Sequence, residues 1–361
     1  MLADAAQPTD AAWKLKNGRY EKYSFGPHIN KQLAALRPDN VTGALYISKD
    51  YLVIVSCAVA VTQLSWWLYP IAVLIIGAHQ RGLTTISHDA AHRILARSTW
   101  LNYVLGVVFA AYPLFQRHYA YRLSHVQRHH PHLGNPDKDP DLAFFLRSGV
   151  YEVRHPVRYF ADLIVQPVLG GATLAYLSYL WTHRFRVKQE AADGIDVRKI
   201  WLDTVGFVAF WVAVVALAAY FGLFVELLLF WVVPYLTSFQ ILGWFIEVAE
   251  HSPMCETESK NIYLTRNRKG NWIERILFGV NFDEYHLEHH LSPGIPFWHL
   301  HSAQQIRIQD PEYAAVARTW GGLFVSGPQG QRSVIGQLMD RNDRLYWRHQ
   351  CSQADAVRAP A

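Results

Sequence analysis

Cysteine is nearly absent from this chain of 361 residues: Cys57, Cys255 and Cys351 are the only three, and they lie far apart. Three scattered thiols exclude a disulfide framework and a cysteine-bound iron–sulfur cluster. Charge is scarce as well, with Lys, Arg, Asp and Glu at 17% against roughly 25% in soluble domains. No glycine-rich nucleotide fingerprint follows a strand-like segment, so the chain brings no flavin or nicotinamide fold of its own. No basic run with interleaved aromatics is present, which argues against a nucleic-acid partner. The first fifty residues hold no apolar core ahead of a small-residue cleavage site, so a cleaved signal peptide is not expected.

What the chain has instead is apolar residues gathered in blocks. Half of it is hydrophobic, with 13 Trp, 19 Tyr and 18 Phe. A membrane span needs about 20 mainly apolar residues. "YLVIVSCAVAVTQLSWWLY" (51–69) runs directly into "PIAVLIIGAHQRGLTTIS" (70–87), and "FVAFWVAVVALAAYFG" (207–222) into "LFVELLLFWVVPYLTSFQILGWF" (223–245). Each pair reads as a helical hairpin with almost no loop. The expected spans are about 51–69, 70–88, 203–221 and 223–246. Gln80, Arg81 and His88 interrupt the second of these. Stretches 101–115 and 157–181 contain Pro113, Pro167, Gly170 and Gly171, and read as helices at the membrane interface. The segment 93–200 carries 14 Lys and Arg while the hairpin tips carry none, which predicts that this segment and both termini are cytoplasmic. The net charge of +5 then suits anionic lipid headgroups.

The histidines carry the chemistry. "SHDAAH" places His88 and His92 at i and i+4. "SHVQRHHPH" places His125, His129 and His130 at i, i+4 and i+5. His251 ends "EVAEH". "NFDEYHLEHHLSPGIPFWHL" places His286, His289 and His290 at i, i+3 and i+4, a spacing that lets all three face one point on a helix. Nine of 18 histidines thus collect on one membrane face. Imidazole is the commonest protein ligand for transition metals. Nine imidazoles exceed the six positions of one octahedral ion, so two ions with four or five ligands each is the natural count. A catalytic zinc takes only three protein ligands. HDAAH does share its outline with the zinc motif H-E-x-x-H, with Asp89 in place of Glu, and a membrane zinc hydrolase stays open as a remote alternative.

The three boxes HDAAH, HVQRHH and HLEHH resemble, in order and spacing, the H-x(3–4)-H, H-x(2–3)-HH and H-x-x-HH pattern of the membrane-bound fatty acid desaturase and hydroxylase superfamily. The context "YHLEHHLSPGIPFWHL" is similar to its bacterial fatty acid desaturase branch. The first box has three intervening residues where some desaturases have four, which sets the chain nearer the acyl-lipid and hydroxylase branches. The resemblance covers about residues 50–305. It implies a non-haem di-iron oxidoreductase that consumes O2 and two electrons, with His88, His92, His125, His129, His130, His251, His286, His289 and His290 as ligands. It implies desaturation of a fatty acyl chain in an apolar slot. Other oxidations on the same centre remain open: hydroxylation, ketolation, alkene-forming decarboxylation, or desaturation of a small amphiphilic metabolite. Electrons would come from a separate ferredoxin-like donor with its reductase, docking on the basic face.

The expected architecture is all-α: an integral membrane protein of four transmembrane helices in two hairpins, with a cytoplasmic helical cap holding the di-iron site. Residues 1–50 form a cytoplasmic segment, 51–302 the catalytic domain, and 303–361 a cytoplasmic tail. Asp89, Asp141, Glu247 and Glu288, with Asp137 and Asp139 beside Asp141, are candidates to accept the free N–H of a ligating imidazole. His118, His132, His155, His299 and His301 read as structural, and His28, His79, His183 and His349 carry no assignment.

Overall fold

The computed structural model describes Leu15, residues 18–182 and residues 196–358; His183 lies outside the described residues. Those residues form helices and turns, and the one β-type pairing among them is an isolated bridge between Glu21 and Lys260. Helix α1, Thr42–Gln63, starts well before the apolar run at Tyr51. The reason is a cap: the Asp39 carboxylate accepts the Val41 and Thr42 amides, each at 2.7 Å, and satisfies donors that a helix start leaves open. The chain turns at Leu64–Leu68, where Ser65 Oγ accepts the Trp67 amide at 3.3 Å. Helix α2, Tyr69–His92, then runs back.

Helix α3 covers 118–132 and carries the second histidine box. Helices α4, Val197–Tyr220, and α5, Phe224–Glu256, follow one another. Gly222 lies in the turn between them, with a φ of 69° that costs glycine nothing. Helix α6, His286–Leu291, carries the third box.

Helices α1, α4 and α5 are long and apolar enough to cross a membrane, with mean hydropathies of 1.6, 2.1 and 1.6. On α4, Trp201, Leu202, Val208, Val212 and Leu217 point outward and are exposed, as an apolar helix facing lipid requires. The bent pair Pro156–Val168 and Thr173–Leu180, turned by 71°, makes up to a fourth candidate.

The expected span 70–88 is a helix, but α2 is not among these candidates. Its 24 residues would cover about 36 Å, yet Gln80, Arg81 and Asp89 sit buried in its wall. Helices α1 and α5 and the apolar helix Thr99–Leu114 pack around it and shield those polar groups. The fit against α5 is close: a Cβ on Gly77 would stand 2.2 Å from Ser238 Oγ. α2 is therefore the central post of the bundle, and the polar residues that weaken its hydropathy line the protein's interior.

Candidate metal centre

All nine box and singlet histidines converge, in two groups. The donor nitrogens of His88, His92, His125, His130 and His289 lie within 4.8 Å of one another, as do those of His129, His251 and His290. His286 joins the second group, its Nε2 lying 3.0 Å from that of His290 and 3.2 Å from that of His251. The first box contributes both imidazoles to the first group. The other two boxes divide: His125 and His130 go one way and His129 the other, while His286 and His290 go one way and His289 the other. The expectation that His286, His289 and His290 share one point is therefore corrected. At i, i+3 and i+4 they straddle the gap between two centres.

The second box reaches the same result through a different helix. Residues Arg122–His129 form a π-helix. At about 100° per residue, an α-helix would set His129 and His130 roughly 40° and 140° round from His125, turning His130 away. The wider π turn, about 82° per residue, brings them to roughly 30° on one side of His125 and 50° on the other. Sequence spacing alone does not reveal this, because the local composition suits an ordinary helix equally well.

Hydrogen bonds fix which nitrogen faces inward. His125 Nδ1 is 3.3 Å from Asp141, His129 Nδ1 is 2.9 Å from Asp139, and His286 Nδ1 is 3.3 Å from Glu250. His88 Nδ1 stands 3.5 Å from Asp89, and His251 Nδ1 is 3.3 Å from the Leu264 carbonyl. The hydrogen bonds to Asp141, Asp139 and the Leu264 carbonyl take the Nδ1 protons of His125, His129 and His251 and leave their Nε2 lone pairs pointing at the centre, while Glu250 and Asp89 stand within ion-pair distance of His286 and His88. Yet His88 and His125 bring Nε2 to Nε2 at 3.0 Å, and His286 and His251 at 3.2 Å. Two lone pairs so close repel unless a cation lies between them. Metal–imidazole bonds of about 2.1 Å meeting at a right angle put two nitrogens about 3.0 Å apart. His92 Nε2 is likewise buried without a hydrogen-bond partner. Burial, the largest cause, holds His130, His286, His289 and His290 well below the usual imidazole range. They stay neutral, the form in which imidazole binds metal. The residues fit a pair of metal ions.

The carboxylates named from sequence divide. Asp139 and Asp141 orient imidazoles, and the Tyr179 hydroxyl donates to Asp141 at 2.7 Å. Asp89 touches His88 but gives its other oxygen to the Phe297 amide at 2.7 Å. The Asp137 amide donates to the Asn135 side chain at 3.0 Å, within the turn that leads to Asp139. Glu247 pairs with Arg81 at 3.1 Å. Among the described residues Glu288 meets no imidazole: it accepts from Asn267 at 3.0 Å, and from Arg307 and Tyr313. The tail expected from residue 303 thus packs directly behind the third box. Glu250 was missed, although its place beside His251 and one turn past Glu247 was the available signal.

Beside the imidazoles opens a cleft of about 950 Å³, its mouth included. Phe144, Phe145, Tyr176 and Phe297 line part of it, and Arg81, Glu247, Glu250 and Asp283 another part. The apolar slot expected for an alkyl chain is thus only partly apolar.

The described residues, helical and with membrane-spanning candidates, close around nine inward imidazoles in two groups and make a polyhistidine scaffold able to hold metal. The sequence pattern of the fatty acid desaturase family matches residues 64–321, and the chain belongs to that family of oxidoreductases. It is 64% identical over 335 residues to the dihydrorhizobitoxine desaturase of Bradyrhizobium elkanii, covering 93% of this chain and 95% of that protein. It is 27% identical over 270 residues to the sn-1 oleoyl-lipid 12-desaturase of Anabaena variabilis, covering 71% of each. A chloroplastic sn-2 acyl-lipid omega-3 desaturase (ferredoxin) of Helianthus annuus is 24% identical over 281 residues, covering 72% of this chain and 60% of that protein.

Proposed function

We propose that this desaturase is a membrane-bound di-iron enzyme, with His88, His92, His125, His130 and His289 on one iron and His129, His251, His286 and His290 on the other. Its substrate is dihydrorhizobitoxine or a small amphiphilic molecule of the same kind. The observation that carries the substrate is the 64% identity across nearly the whole of both chains; the charged wall of the cleft supports it. The irons would supply activation of O2 for removing two hydrogens from neighbouring carbons, with two electrons delivered from outside.

The chain's own residues position and insulate. Asp139, Asp141 and Glu250 hold imidazoles in one tautomer and one orientation. The aromatic side chains Phe144, Phe145 and Phe297 exclude water and confine the substrate's reacting carbons beside the metals. Helices α1, α4 and α5, with the bent pair, anchor the bundle in the bilayer. The Lys and Arg of 93–200 support a cytoplasmic active site and cytoplasmic termini. The electron donor is a ferredoxin-like protein with its reductase.

The test supplies purified, iron-loaded protein with O2 and reduced ferredoxin, and offers dihydrorhizobitoxine and an oleoyl lipid side by side. Mass spectrometry should find dihydrorhizobitoxine lighter by two hydrogens. Conversion of the oleoyl lipid alone would replace this reading with an acyl-lipid desaturase.

A further inference from the structure

Three charged side chains stand on the cleft wall where hydrocarbon has no use for them. Arg81 comes from α2, Glu247 from α5 and Asp283 from the turn before α6. Arg81 Nη1 lies 3.1 Å from Glu247 Oε1, and Arg268 Nη2 holds Asp283 Oδ2 from behind at 2.7 Å. The Arg81 guanidinium lies over the Phe239 ring at 5.3 Å. It also packs on Gly243, where a Cβ would come within 3.1 Å of it. Packing thus fixes the position of this cation. Arg81 is buried, 8% exposed, while Glu247 and Asp283 are half-buried; taking a cation such as Arg81 out of water costs several kcal/mol, and a cleft that only grips hydrocarbon gains nothing from it.

Independently, a polar atom on the same cleft lacks a partner among the described residues. Gln116 lines the cleft, is 3% exposed, and its Oε1 accepts no hydrogen bond. Buried amides are normally satisfied, so an acceptor left open on this cleft points to a polar ligand.

We propose that Arg81, Glu247 and Asp283 are the recognition end of the substrate site, and that it takes a small zwitterion. Glu247 and Asp283 receive its ammonium group, and Arg81 its carboxylate. This rests on the small-metabolite reading above and adds which charges the substrate carries. Arg81 precedes His88 by seven residues on α2, about 10 Å along the axis. The carbons to be oxidised therefore belong to a side chain of fewer than about ten atoms.

The experiment measures binding of three probes of matched length to the full-length, iron-loaded protein by calorimetry: α-aminooctanoic acid, octanoic acid and octylamine. The zwitterion should bind about tenfold or more tighter than either singly charged probe, since hydrogen bonds to charged groups are the strong ones. Glu247→Gln should lower affinity for the zwitterion and octylamine about tenfold and leave octanoic acid unchanged, with iron content intact. Arg81→Gln should do the converse. Equal binding of the three probes, or a preference for octanoic acid, by the unmodified protein overturns the proposal without relying on any variant. The two readings fail separately: turnover of dihydrorhizobitoxine without a zwitterion preference sinks only the charge assignment. Turnover of oleoyl lipid alone sinks the small-metabolite reading.

Discussion

Glu288 and Arg307 form an ion pair in which neither side chain meets solvent. Glu288 stands inside the third histidine box, yet it faces away from the imidazoles, with Tyr313 and Asn267 as its further partners. Asn267 also accepts the Leu287 amide at 2.9 Å. The pair therefore fixes the back of α6 while His286, His289 and His290 project from its front.

Removing one member leaves a buried charge without its partner. Arg307→Met or Glu288→Ala should each destabilise the protein by about 3–5 kcal/mol. The double change Glu288→Met with Arg307→Met should recover part of that loss. Thermal unfolding in detergent measures all three. If the double variant is as unstable as the worse single one, uncompensated charge is not the cause.

His251 stands outside the boxes and completes the second group of imidazoles. Purified protein should hold about two irons per chain, and His251→Ala should lose iron and turnover while still inserting and folding. Iron analysis and circular dichroism separate those effects. Retention of both irons with near-normal turnover would remove His251 from the ligand set, and full activity with stoichiometric zinc would remove iron.

Asp139 acts through His129, whose Nδ1 it holds at 2.9 Å. The same carboxylate caps the helix Pro140–Arg147 through the Asp141 and Leu142 amides, at 3.0 and 3.2 Å. Asp139→Asn keeps a capping oxygen but weakens the hold on the imidazole, and should reduce iron affinity by about 10–100-fold. A competition titration with a chelator reads this directly. An unchanged iron affinity together with lowered stability would limit Asp139 to the cap.

That the nine histidines gather was legible in the sequence because their spacing suits a shared metal centre, whereas their division between two groups was not. His286, His289 and His290 sit at spacings compatible with one focus or two, and only the positions of His129, His130 and His251 decide it. Asp139 and Asp141 were readable as neighbours of the second box. Glu288 misled because its place in HLEHH gives no sign of which way it faces. The polar wall of the cleft was hidden for another reason. Arg81 shows in the sequence only as an interruption of an apolar run, and its partner Glu247 arrives from 166 residues away.

Among the described residues no thiol pair or nucleotide-binding fold stands to relay electrons, and turnover of the proposed di-iron enzyme should depend on the separate donor proposed above. Protein stripped of soluble reductant should stop after the irons' own electrons are spent, and reduced ferredoxin should restart it. High salt should raise the apparent KM for ferredoxin, since docking on the Lys and Arg face is screened by ions. Undiminished turnover with O2 alone would refute the need for a donor.

The π turn of α3 leads to a sharper test. A π-helix arises when one extra residue is accommodated in an α-helix. Between His125 and the doublet lie Val126, Gln127 and Arg128, one more residue than the third box has between His286 and its doublet. Deleting Gln127 lets the segment relax to an α-helix, with the doublet at i+3 and i+4. The two imidazoles then lie roughly 60° to one side of His125 and 40° to the other, close to their present directions. The downstream turn with Asp139 and Asp141 keeps its place, because the relaxed helix spans nearly the same length. Gln127 itself contributes little, as its Oε1 is buried without a partner. The deletion should therefore retain both irons. Deleting Leu287 from α6, where no surplus residue exists, turns His289 and His290 by about 100° and should abolish iron binding. If the two deletions lose iron equally, the π turn is not what aligns the second box.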